Sequence, residues 1–255
     1  SALSSNVIGV DNTAVGTSAL LANTASVNTA VGGYALRFNT TGTPNSAFGF
    51  QALYSNTTGG NNTAVGYQAL YGNTGQSFST AVGHQALYTS ATSLAGNEAF
   101  GAYSLFSNTT GYNNCGFGYA ALYTNQTGAG NVAMGYQALK NCTSNANTAI
   151  GYNAGTAITS GNYNTAVGQQ ALSASTTGVN SVAIGYQALL NFNSTTGHVA
   201  VGYQAGSNLT GGQSGVYLGN GTQAGSTTAS NEIAIGINVT GKGTNTAFIS
   251  ANGGG

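Results

Sequence analysis

An apolar residue followed by glycine recurs along this chain every 16 to 18 residues, from Val15-Gly16 to Ile235-Gly236. The residue before the glycine is always a sizeable hydrophobe, as at Val65, Phe117, Met134 and Ile184, and the fourth residue after it is usually leucine, as at Leu20, Leu53, Leu70 and Leu122. Alanine stands two before the glycine (Ala14, Ala64, Ala149) and three after it (Ala19, Ala69, Ala138), where larger side chains would hold opposing backbones apart. Polar runs such as Ser55-Asn56-Thr57-Thr58-Gly59-Gly60 follow the leucine, rich in residues that tolerate left-handed backbone and cap turns. A period this short and constant means one supersecondary unit stacked repeatedly. Val, Phe, Ile, Tyr and Thr favour strands, and each glycine would cost a helix about 1 kcal/mol. The pattern predicts an all-β chain, a parallel β-solenoid (β-roll) of about fourteen ~17-residue coils. Each coil is expected to hold two short strands and two turns, with both apolar ladders inside and the polar run as an outer loop. Gly66, Gly118, Gly135 and Leu70 are its structural anchors. Residues 1–11 read as an entry or cap segment, 12–215 as regular coils, and 216–255 as atypical coils with a tail or tip.

Stacking places like residues above one another. Tyr54, Tyr71, Tyr88, Phe106 and Tyr123 fall in one aromatic row, five places after the glycine, and are the candidate surface contacts for a ligand. Tyr67, Tyr119, Tyr136, Tyr152, Tyr186 and Tyr203 fall in another, one place after it. Gln51, Gln68, Gln85, Gln137, Gln170, Gln187 and Gln204 form an amide row, which can hydrogen bond along the stack.

Composition removes most chemistry. Only 2% of residues are charged and the formal net charge is zero, so nothing can neutralise a run of phosphates; nucleic acid and anionic membrane surfaces are poor partners. With 41% hydrophobic residues recurring in phase, order is expected in spite of the Gly, Asn, Ser and Thr content. No apolar stretch approaches the ~18 residues that span a bilayer, and Ser1-Ala2-Leu3-Ser4-Ser5 has no signal-like region, so membrane insertion is not expected and the start reads as a soluble fragment or mature end. Cys115 and Cys142 lie in different phases of the repeat, each in a slot held elsewhere by Thr or Asn, which argues against a disulfide framework.

The same spacing tests for catalysis. Glu98 and Glu232 lie eight coils apart, ~38 Å at ~4.8 Å per coil, whereas paired glycosidase carboxylates need ~5 to 10 Å. His84 and His198 lie seven coils apart, each in a slot expected to be at the surface. No catalytic residue, cofactor or metal site within one chain is expected, and the chain reads as a non-enzyme. One metal arrangement is open to a trimer: three copies of His84 around a threefold axis could hold a metal or an anion. Glycosylation sequons such as Asn56-Thr57-Thr58 and Asn208-Leu209-Thr210 follow from composition.

The phrases Asn180-Ser181-Val182-Ala183-Ile184-Gly185 and Asn231-Glu232-Ile233-Ala234-Ile235-Gly236 resemble the head repeat of trimeric autotransporter adhesins. That likeness implies a left-handed parallel β-roll packed as three chains. The longer unit from Asn62 to Tyr71, with loops like Ser55-Asn56-Thr57-Thr58-Gly59, is similar to repeats of phage tail fibres and related bacterial fibre proteins. Gly243-Thr244-Asn245-Thr246-Ala247-Phe248-Ile249-Ser250 resembles segments just before a cleavable endosialidase-type intramolecular chaperone; no such domain follows Gly255, as expected of a mature or truncated fragment.

The leading expectation is an extracellular homotrimeric fibre or adhesin segment, on a cell surface or a virion tail, that presents or forms a receptor-binding tip for a host or prey surface glycan or envelope protein. Two alternatives stand beside it. Thr13, Thr29, Thr63, Thr80, Thr148 and Thr165 share one slot, which suits an ice-binding solenoid. The third reading is a passive shaft or filament with no ligand of its own.

Overall fold

The computed structural model describes residues 1–90 and 96–251. Two compact units, Ser1–Gly130 and Asn131–Gly255, are built on the same plan. In the first, β1 (Thr13–Val15), β2 (Asn28–Val31), β3 (Asn45–Phe48), β4 (Asn62–Val65), β5 (Thr80–Val82), β6 (Glu98–Phe100) and β7 (Cys115–Phe117) pair in chain order, always parallel. In the second, β8 (Val132–Met134), β9 (Thr148–Ile150), β10 (Thr165–Val167), β11 (Val182–Ile184), β12 (Val199–Val201), β13 (Val216–Leu218), β14 (Ile233–Ile235) and β15 (Ala247–Ile249) do the same. Equal slots face each other: Ala64 pairs with Ala47 and Ala81, and Ala183 with Ala166 and Ala200. Both units are therefore parallel β-solenoids, as the period predicts.

Each coil holds one strand of three or four residues, where two were expected. The remainder is a wound turn whose amides bond from coil to coil. Gln68 N–H donates back to the Phe50 carbonyl (2.9 Å), while Leu70 N–H donates forward to Ala86 (3.0 Å). Gln68 and Leu70 are left-handed, at φ 53° and 51°, and the same two slots repeat this in most coils. Such a conformation costs an L-residue about 1 to 2 kcal/mol. It is held because the neighbouring coils bind alternate N–H groups on opposite sides.

The anchoring glycine has a steric cause. Gly66 sits at φ +132°, and a Cβ there would lie 2.5 Å from the Gly83 carbonyl oxygen; at Gly135, φ +136°, it would lie 2.5 Å from that of Gly151. The stack can close to strand spacing only where no side chain intervenes.

The interior differs from the sequence expectation in two ways. Leu20, Leu36, Leu53, Leu70, Leu87 and their equivalents are fully buried, with the alanines two before and three after the glycines from the second coil on; Ala14, in the first coil, is half-buried. The hydrophobe just before the glycine, expected inside, points out: Val65 and Val201 are each 37% exposed and Phe48 42%. Strand alternation decides this, because the buried alanine is its immediate neighbour. The second correction concerns the outer loop, whose asparagines are buried. Asn56 donates to Asn39 Oδ1 (2.8 Å) and to the Gly59 carbonyl (3.0 Å), and Asn62 donates to the Gln76 carbonyl (2.8 Å). Two asparagine ladders thus satisfy carbonyls that the tight turn aims inward.

Where the leucine is missing, the core is refilled from elsewhere in the coil. Gly155 and Gly206 occupy leucine slots, and three residues on, where most coils of the first unit have asparagine, stand the buried Ile158 and Leu209. A Cβ on Gly155 would meet Leu139 Cδ2 at 2.9 Å and Ile158 Cδ1 at 3.1 Å, so isoleucine takes the space that leucine leaves.

Candidate binding surface

Three rows of the first unit lie side by side on the turn that follows the anchoring glycines. The row five places after the glycine is a stack of near-parallel rings: Tyr54–Tyr71 at 5.0 Å between centroids, Tyr71–Tyr88 at 5.1 Å, Tyr88–Phe106 and Phe106–Tyr123 at 5.2 Å. Arg37 fills the same slot one coil earlier and caps the stack. Its guanidinium lies 5.9 Å from the Tyr54 ring centroid and donates to the Tyr54 hydroxyl at 3.1 Å. Burial, then the negative character of Tyr54 and Tyr88, raises the Tyr71 phenol above its ordinary value.

The second row runs one place after the glycine. Phe50 and Tyr67 stack at 5.8 Å, Tyr67 and His84 at 5.1 Å, all three exposed. His84 also meets Tyr103 edge-on at 5.1 Å, so both sides of the imidazole have ring neighbours.

Between these rows runs the amide ladder. Gln68 Nε2 donates to Gln51 Oε1 and Gln85 Nε2 to Gln68 Oε1, each at 2.8 Å, with all three side chains half-buried. The glutamine slot is taken by tyrosine at both ends of this run. Tyr34 touches Phe50 of one row (5.7 Å) and Arg37 of the other (5.2 Å). Tyr103 touches His84 and Tyr119 of one row and Phe106 and Tyr123 of the other. The structure therefore assembles an amide floor with an aromatic row on each side and a tyrosine at each end. Tyr34, Tyr103 and Arg37 escaped the sequence reading; the signal was a slot held by an unlike residue.

The second unit repeats only part of this. Gln187 donates to Gln170 (2.9 Å) and Gln204 to Gln187 (2.8 Å), and Tyr186 stacks on Tyr203 (5.1 Å). Its other flank carries Ser173, Leu190 and Ser207 in place of rings.

The titratable groups fall elsewhere. Glu98 and Cys115 pair across β6 and β7 on the outer sheet face; burial raises both, and the Glu98 carboxylate raises the thiol further, which suppresses the nucleophilic thiolate. Cys142 is buried in an asparagine slot against Ser144. Asp11 is exposed beside β1. His198 is 1% exposed, contrary to the surface position expected for it, and Glu232 is fully buried. Around His198 the asparagine ladder gives way to rings: Phe192 lies 4.4 Å away and Tyr217 stacks at 6.0 Å. Among the described residues, no group of three or more His, Cys, Asp or Glu side chains could hold a metal. No protein-family model, curated protein or solved structure matches this chain.

Proposed function

We propose that this chain is a segment of an extracellular fibre or adhesin, on a cell surface or a virion tail, that assembles as a homotrimer and attaches to a surface glycan or envelope protein. The observation that carries this reading is the outer face of the sheet. In every coil the hydrophobe before the glycine points outward, and in several coils of the second unit it has an apolar companion two places earlier: Val182 with Ile184, Val199 with Val201, Val216 with Leu218. Each unit thus shows a ladder of exposed and half-exposed apolar side chains in strict register. Such a face favours burial against like copies, which also shields a chain with few charges from edge pairing. A binding role rather than a catalytic one fits the dispersion of the acidic and imidazole groups, most of which are engaged in packing.

Molar mass in solution tests the assembly. Three chains per particle, falling to one in the Val65→Asp, Val201→Asp double variant with the fold retained by circular dichroism, is the expected result. A wild-type monomer defeats it. Retention of the protein on candidate host or prey envelopes tests attachment separately.

An ice-binding reading draws on Thr29, Thr63 and Thr80 standing beside Val31, Val65 and Val82 on the outer sheet face. Thermal hysteresis of the pure protein decides it.

A further inference from the structure

We infer that the amide floor of the first unit and its two aromatic rows form a binding strip for an extended, uncharged β-1,4-linked pyranose chain lying along the stacking direction, one sugar per coil. This rests on the attachment role proposed above and names its ligand class.

Three observations converge on it. The first is spare hydrogen-bonding capacity. A primary amide has two donors and two acceptor sites, and each internal contact of the ladder uses one Nε2 hydrogen and one Oε1 lone pair. Gln68, engaged on both sides, thus keeps one donor and one acceptor for a partner. Its half-buried position between the rows keeps the amide ordered while leaving it within reach of solvent. Sugar hydroxyls are both donors and acceptors and match that pair.

The second observation is the flanking chemistry. Pyranose rings combine apolar C–H faces and edges with polar rims; because the rings of each row stack on one another, it is their edges that line the strip, apolar along the ring and polar at the tyrosine hydroxyls. The strip offers rings on both sides of the amides, with Tyr67 45% exposed. The tyrosines at Tyr34 and Tyr103 bound its length.

The third is register. Neighbouring rings repeat at 5.0 to 5.2 Å along the Tyr54 row, and the coils follow the strand spacing of ~4.8 Å. A polymer gains from successive rungs only if its own repeat matches. A peptide strand advances ~3.3 Å per residue, or ~6.6 Å between like-facing side chains, and drifts out of phase at once. A polyproline helix repeats every ~9.3 Å, close to two rungs, but its proline nitrogens carry no N–H for the spare acceptors of the ladder. Polyanions meet only one cation here, Arg37, which is already seated over aromatic rings. An extended β-1,4-linked chain advances by about one rung per sugar and keeps its rings in a nearly flat ribbon. An α-1,4-linked chain coils away from a straight track.

The second unit supplies an internal control, because it has the ladder without the second aromatic row. Calorimetric titration of the full chain with cellohexaose, chitohexaose and maltohexaose is the test. One or both β-linked hexaoses should bind and maltohexaose should not, with affinity rising with chain length until the strip from Tyr34 to Tyr103 is filled. Gln68→Leu should weaken binding at least tenfold, while Gln187→Leu, which breaks the equivalent ladder of the second unit, should leave it unchanged. Absence of binding by both β-linked hexaoses at millimolar concentration overturns the inference. So does equal binding of maltohexaose, or equal loss in the two glutamine variants. Envelope retention without hexaose binding would remove the strip and keep the fibre; hexaose binding without retention would do the reverse.

Discussion

The Tyr217 hydroxyl donates to the Glu232 carboxylate at 3.1 Å, with both side chains fully buried. Among the described residues, no cation joins them. The carboxylate is satisfied by backbone N–H groups instead, from Gly225 (3.1 Å) and Gly243 (2.5 Å), and a Cβ on Gly241 would lie 2.1 Å from Glu232 Oε1. Glu232 thus ties the turn before β14, at Gly225, and the one after it, at Gly243, to Tyr217 of β13. Burial first, then the charge and hydrogen bond of Glu232, holds the Tyr217 phenol well above its ordinary value and keeps it a donor. Glu232→Ala leaves the buried Tyr217 hydroxyl and the part-buried Gly225 and Gly243 N–H groups without their acceptor, and is expected to destabilise the second unit by about 3 kcal/mol, against about 1 kcal/mol for Tyr217→Phe. Urea unfolding of both variants checks the order; a Tyr217→Phe loss as large as that of Glu232→Ala contradicts it.

His198 makes the same region sensitive to acid. Burial lowers its pKa below the ordinary 6.5, against the opposing pull of the Thr196 and Ala229 carbonyls. The fold therefore prefers neutral imidazole and the unfolded chain binds the extra proton. Stability is full above about pH 6.5 and is lost as pH falls from there through the folded-state value. Phe192 and Tyr217, the rings packed on the imidazole, offer no charge to offset this. Thermal melts between pH 7.5 and 4.5 should show a fall in Tm that His198→Asn, which restores the residue of the ladder, reduces. An identical fall in both proteins assigns the effect to other groups.

The exchange of leucine and asparagine for Gly155 and Ile158 predicts non-additivity. Gly155→Leu alone overpacks the coil against Leu139 and Ile158, and Ile158→Asn alone empties it; each should cost roughly 2 to 4 kcal/mol. The double variant rebuilds the usual coil and should recover at least half of the summed loss. Simple additivity in a double-mutant cycle counts against the compensation.

Leu70→Asp buries an unpaired charge among alanines and should unfold its coils, with a loss on the order of 4 kcal/mol. Gly118→Val places a β-branched side chain at φ +130°, where strain arises whatever the space, and should cost at least 2 kcal/mol. Val65→Ala, on the outer face, should cost an isolated chain less than either. Comparable losses for Val65→Ala and Leu70→Ala in such a chain would reverse the assignment of inside and outside.

The period, the parallel stacking, the leucine and alanine ladders and the glutamine ladder were all legible before any coordinates, because each is set by spacing between identical residues. The hydrophobe before each glycine lies outside, against expectation, because apolar character does not by itself mean burial: strand alternation puts Val65 opposite in direction to buried Ala64. Asn56 lies inside for the converse reason. A turn-forming residue usually faces water, but here the turn's own carbonyls need donors inside. The left-handed Gln68 and Leu70 carried no local signal, since their conformation is enforced only by bonds to the coils above and below.

For the candidate strip the division is similar. The residues of each row could be named from their spacing alone, including Tyr54, Tyr71, Tyr88, Phe106 and Tyr123. That the rows lie beside one another, with Tyr34 and Tyr103 closing the ends, depends on the direction in which a left-handed residue turns its side chain. Sequence by itself determined what repeats and how often, because hydrogen-bonded stacking demands equal units. Only the tertiary structure decided which side of each unit faces the core, because that follows from strand alternation and from where the turns direct their unpaired carbonyls.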